Sequence, residues 1–107
     1  MPYYLVQMTY TKEAIQHMDE HPQNRLEAVR PAYEELGATI HEFFLAFGDY
    51  DAVLLVEAPD NVHMEAIGWA VTAGGAITHY KTTPLLTWDE GVEAMRMAGE
   101  SSYTPPS

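Results

Sequence analysis

Apolar and polar positions alternate at the start of the chain and then change period. From Tyr3 to Tyr10 the run YYLVQMTY sets Tyr4, Val6 and Met8 against Leu5, Gln7 and Thr9, the two-residue repeat of a strand. Thr11 is placed to cap a first helix. Apolar residues then recur at Ala14, Ile15 and Met18, lapse over His21, Pro22, Gln23 and Asn24, and resume at Leu26, Val29, Ala32, Tyr33 and Leu36. The spacing is helical on both sides of the lapse, so the helix is broken or kinked near Pro22, and Gly37 ends it.

The stretch FFLAFGDYDAVLLVEAPD, Phe43 to Asp60, is the most decodable part of the sequence. Gly48 and Asp49 lie between two apolar runs, which predicts a tight hairpin joining a second strand, Thr39 to Phe47, to a third, Asp51 to Ala58. Pro59 stops the third strand, and Asp60 or Asn61 caps a second helix reaching Thr72, with Ile67, Ala70 and Val71 as its inward stripe. Gly74 and Gly75 end that helix, and a fourth strand covers Ala76 to Thr83 with Pro84 closing it. Thr87 and Glu90 have capping-box spacing and open a short terminal helix through Val92, Met95 and Met97. Residues 1–99 form one domain on this reading, and residues 100–107 form a flexible tail.

The order βαββαβ predicts an α+β, ferredoxin-like fold: a four-stranded antiparallel sheet with helices on one face and an extra C-terminal helix. Both faces of the sheet are apolar, with Ala52, Leu54 and Val56 on one side of the third strand and Val53 and Leu55 on the other. A face of that kind is not left in water. A second copy packed sheet to sheet covers it, so the expected assembly is a homo-oligomer built on a dimeric α+β barrel.

The triplet Gly48, Asp49, Tyr50 within FGDYDAVLLVEAPD resembles the signature of the GYD domain family. The similarity runs from Tyr4 (YLVQMTYT) through RLEAVRPAYEELGATIHEFFLAFGDYD to GGAITHYKTTPLLTWDEG, and so covers nearly the whole chain. It implies the ferredoxin-like, dimeric α+β barrel architecture and assembly into dimers or larger oligomers. No reaction is implied. The sequence departs from the family's usual pattern at Lys12, where an acidic residue is customary, and at His41 and His79.

Composition narrows the function classes. The 107 residues are 47% hydrophobic, enough for one globular core,. Sixteen carboxylates against five basic residues give a formal charge of −11, which opposes nucleic acid and anionic membranes as partners. There is no cysteine, no basic segment before an apolar run at the start, and no apolar stretch of bilayer length, so the expected setting is soluble and cytoplasmic. Phosphate-loop, dinucleotide and serine-elbow motifs are missing, and no cofactor is expected.

Candidate chemistry is sparse. His79, in the fourth strand, is the leading candidate for proton transfer, with Asp51 as a possible base if it faces a closed interior. Tyr10, His41, Phe44, Tyr50 and Trp69 are the candidate ligand-binding residues. Tyr50 also has a structural reading, with its ring at the sheet edge and its hydroxyl in water. His17 and His21 stand at helical metal-ligand spacing, but Pro22 interrupts the helix and the nearby sequence offers no third ligand. The expectation is an oligomeric module binding a small, largely apolar molecule. The alternatives are a cofactor-free isomerase, monooxygenase or lyase acting on a hydrophobic carbonyl or aromatic compound, and a histidine/carboxylate metal-binding protein.

Overall fold

In a computed structural model, which describes residues 1–107, the chain runs β1 (Tyr3–Tyr10), α1 (Lys12–Glu20), α2 (Arg25–Glu35), β2 (Thr39–Leu45), β3 (Ala52–Glu57), α3 (Asn61–Ala73), β4 (Ile77–Leu85), α4 (Trp88–Gly99). The sheet order is β2-β3-β1-β4, with every neighbouring pair antiparallel. This is the ferredoxin-like arrangement that the element order predicts.

Helix ends follow local chemistry. Thr11 and Asn24 accept from the backbone N–H groups of Ala14 and Leu26, so the lapse at Pro22 separates two independently capped helices. Asp60 caps α3, and Thr87 with Glu90 forms a complete capping box for α4,. At the end of α2, Gly37 has φ of +79°; its N–H donates to Glu34 and that of Ala38 to Tyr33, closing a Schellman turn,.

The core lies between the helices and one sheet face. Tyr4, Val6 and Met8 of β1 and Ala52, Leu54 and Val56 of β3 are buried there with Ile40, Ile77, Tyr33, Met64 and Ile67. The other set of residues, Tyr3, Leu5, Gln7, Val53, Leu55 and Glu57, is only half-buried because no element of the chain covers it. The inward stripe of α3 is Met64, Ile67 and Gly68 with Val71 partly buried, and the expected Ala70 is exposed. α4 buries none of its residues, and Trp88, Met95 and Met97 stand exposed. The molecule is extended, with a radius of gyration of 17.4 Å against about 13 Å for a compact domain of this size.

Apart from single-residue shifts at the ends of β3 and α3 and the start of β4, the boundaries that differ from the sequence reading lie at the β2–β3 connection and the end of β4. β2 stops at Leu45 and β3 begins at Ala52, leaving a six-residue connection, residues 46–51, in place of a tight turn. Gly48 does not have positive φ, and open space surrounds the place where its Cβ would stand. The connection is closed instead by the Ala46 N–H donating to the Asp51 carbonyl at 2.8 Å. β4 continues through Pro84 to Leu85 because it is an edge strand, where a missing N–H leaves no ladder bond broken,.

Candidate functional site

The candidate residues divide between the two sides of the sheet. On the open face, register shifts between Ile40 and Glu42 of β2, and His41 is the extra residue. Its Nε2 lies 2.9 Å from Glu57 Oε1, and its ring lies 5.6 Å from that of Tyr3. Glu57 also reaches the N-terminal ammonium at 3.8 Å. Phe44, opposite Val53, is 61% exposed, and His79, opposite Thr9, is exposed at the far end of the same face.

Asp51 continues the line of β3 toward β1 without entering the sheet. Its backbone N–H donates to the Met8 carbonyl, and its carboxylate accepts from the Tyr10 N–H at 3.0 Å. β1 therefore lies between Asp51 and His79, and the two do not form an acid/base pair. Tyr50 is half-buried in the same connection, beside exposed Asp49.

Tyr10 belongs to the helix side, where it packs against the core. Burial pushes its hydroxyl pKa up, a shift that the Arg25 guanidinium opposes. Trp69 also lies on the helix side, 73% exposed on α3. The candidates Tyr10, Phe44, Trp69 and His79 therefore do not surround one molecule within a chain: the sheet separates Phe44 from Trp69. His17 and His21 stack at 4.7 Å, and nowhere do three His, Asp or Glu side chains gather as metal ligands.

The helix side holds a groove that spacing alone did not disclose. α3 approaches β4 at Gly68, where a Cβ would come within 3.2 Å of Tyr80 Cε1 and 3.8 Å of Glu65 Oε1. Gly68 is buried, and its lack of a Cβ lets the Tyr80 ring pack directly against the helix. Around it lies a cavity of about 360 Å³ lined by Tyr4, Asn61, Glu65, Tyr80, Thr82 and Pro84 among others. It adjoins a more apolar hollow bounded by Trp69, Thr72 and Ala73, which shares Glu65, Gly68 and Tyr80.

Beneath the groove the polar groups are tied. The Tyr4 hydroxyl donates to Asn61 Oδ1 at 2.6 Å, and the Tyr80 and Tyr33 hydroxyls are 3.3 Å apart. Burial above all, then the neighbouring Tyr33 and Glu65, pushes the Tyr80 hydroxyl pKa far up, so it stays protonated and able to donate,. The available sequence signal was Gly68 itself. A glycine inside a helix costs about 1 kcal/mol relative to alanine, which points to a packing or access requirement.

A profile of the GYD domain matches residues 4–95 of this chain. Among solved structures, the crystal structure of FFRP-DM1 is similar, with 16% sequence identity and a TM-score of 0.56 over 80% of this chain and 100% of that one. At that identity the likeness speaks for the fold. A search of curated proteins finds no match.

Proposed function

The chain belongs to the GYD domain family, and we propose that it works as a self-associating module that holds a small, largely apolar molecule in the groove between α3 and β4. The observation that supports the binding reading is the hollow between α3 and β4, where Tyr80, packed against buried Gly68, forms one wall and Trp69, Thr72 and Ala73 another. Pockets of this kind combine apolar walls with a few fixed polar groups, here Glu65, Asn61 and Thr82,.

Self-association is supported by the opposite side of the sheet. Leu5, Val53, Leu55 and Phe44 form an apolar surface that this chain leaves uncovered, and a two-fold pair of identical faces covers both at once. His41, Phe44 and His79 then lie between the sheets. α4 adds a second unpartnered apolar surface continuous with the end of β4 through exposed Leu86. A proton-transfer reading of His79 and Asp51 finds no support in this arrangement.

The binding reading is tested by titrating isotopically labelled protein with a library of small aromatic and aliphatic fragments and following backbone amide shifts. Shifts clustered at Glu65, Gly68, Trp69 and Tyr80, lost in Gly68→Leu, are expected. Fragments that bind elsewhere, or bind Gly68→Leu equally well, contradict it.

A further inference from the structure

We infer that α4 is an exchanged arm: in the paired protein it seats its apolar stripe in a groove of the second copy, between the α1–α2 connection and the end of β2. The inference rests on the copies pairing through their open faces and adds where the C-terminal helix of each one goes.

α4 is encoded as a helix with a complete capping box, yet none of its residues is buried by its own chain. A lone helix of 12 residues is marginal in water, so its stability comes from packing against something else. Trp88, Val92 and Met95 fall at positions i, i+4 and i+7 and form one stripe, and all three are exposed,. Asp89, Glu90, Glu93 and Arg96 occupy the other side.

The seat is the second concentration of exposed apolar side chains. Phe44, Leu45 and Phe47 stand exposed at the end of β2 and just beyond it. Beside them Met18, Pro22 and Leu26 complete a groove of about 560 Å³ along this edge of the sheet. Its one charged lining residue is Arg25, which forms no salt bridge with a carboxylate of its own chain. α4 carries three carboxylates, Asp89, Glu90 and Glu93, against Arg96, so helix and groove are opposite in sign. The groove between α3 and β4 has Glu65 as its charged residue and repels the same helix,.

One chain cannot bring its own helix and groove together. β2 and β4 are the two edges of the sheet, about 14 Å apart at the usual strand spacing. Leu45 is level with Ala52, Met8 and Tyr80 at one end, and Leu85 with Tyr3 and Glu57 at the other. The groove and the root of α4 therefore stand at diagonally opposite corners. A two-fold axis between two stacked sheets, lying along the remaining diagonal, carries each of these corners onto the other. Each copy's β4 end then lies over its partner's β2 end, with strands crossing near a right angle, one of the two common ways in which sheets stack. α4 is about 18 Å long and stacked sheets stand about 10 Å apart, so the arm is long enough to pass the edge of the partner's sheet.

The chain has no cysteine, so one introduced at Glu93, on the charged side of α4, carries a nitroxide without further change. Spin-labelled Glu93→Cys at natural isotope abundance is unfolded and refolded together with unmodified, isotopically labelled protein, so that only approach between copies broadens the observed amides. The amides of Leu26, Phe44 and Leu45 are expected to lose more than half of their intensity. They are expected to regain it when the spin-labelled chain also carries Val92→Glu, which puts a carboxylate into the stripe and leaves the core untouched. Broadening centred instead on α4 of the observed copy, or none at those three amides in protein with the light-scattering mass of an assembly, overturns the exchanged arm and leaves the sheet pairing standing. Broadening that Val92→Glu leaves intact overturns the role of the stripe. A single-chain mass overturns both the arm and the reading it rests on.

Discussion

Gly68 sits against the ring of Tyr80 so closely that a Cβ at position 68 would lie 3.2 Å from Tyr80 Cε1. The ring has little room to yield, since its hydroxyl meets that of Tyr33 and its backbone pairs with Met8 across the β1–β4 ladder. Alanine would gain about 1 kcal/mol of helix propensity, but crowding in a packed site costs about 1–3 kcal/mol. Gly68→Ala is therefore expected to lower stability by about 1 kcal/mol in urea denaturation, against the usual direction of a glycine-to-alanine change inside a helix. A stabilised variant would show that the groove floor is slack.

The Asp51 carboxylate ties the connection before β3 to the end of β1 through the Tyr10 N–H. A hydrogen bond to a charged group contributes about 1.5–3 kcal/mol, less where water competes, and Asp51 is only partly buried. Asp51→Ala is expected to destabilise the protein by about 1–2 kcal/mol. Asp51→Asn, which keeps an acceptor, should lose less. Hydrogen exchange at the Tyr10 amide locates the effect: it accelerates in Asp51→Ala if this bond is the cause and is unchanged if the residue serves only solvation.

Most of the fold was legible because local signals agreed. Alternation in β1, the caps at Thr11, Asp60 and Thr87, and the glycine after α2 each named an element or its end, and the order of elements then fixed the topology. The β2–β3 connection was misread because a glycine and an aspartate between apolar runs look the same in a tight turn and in a longer loop closed by a backbone bond between residues 46 and 51. The site was less legible for a different reason. Tyr80 reaches Gly68 only because β4 pairs with β1 in the register that sets Tyr80 opposite Met8, and no spacing along the chain encodes that pairing. Trp69 and Phe44 are both aromatic and both exposed, yet the side Trp69 occupies depends on the packing of α3 and that of Phe44 on the β2 register, which shifts at His41.

Asp60 links α3 to pH. Its carboxylate accepts from the backbone N–H of His63 at 2.9 Å and faces the His63 ring at 2.7 Å, and the backbone bond first, then the ring, holds its pKa below the ordinary carboxylate value. A folded-state pKa below the unfolded one gives a contribution that is complete above the unfolded value, about 4, and is lost as pH falls through the folded value. Asn is as good a cap as Asp and does not titrate. Denaturant unfolding at pH 7 and pH 3 should therefore show a smaller acid loss for Asp60→Asn than for the unmodified chain. Equal losses would mean that Asp60 plays no part in the acid limb.

The proposed function divides the two faces of the sheet: the open face would pair copies, and the groove on the helix side would take the ligand. Leu55, half-buried on the open face opposite Leu5 and outside the core, separates the two roles. The most direct test is the light-scattering mass of Leu55→Lys, read beside that of the unmodified protein and with fragment binding followed on the same samples. The account predicts that the unmodified protein has at least twice the 12.0 kDa mass of one chain, and that Leu55→Lys falls to a folded single chain whose amides at Glu65, Gly68 and Tyr80 still shift with fragments. An unmodified protein that runs as a single chain, or a Leu55→Lys variant that stays assembled, would contradict it.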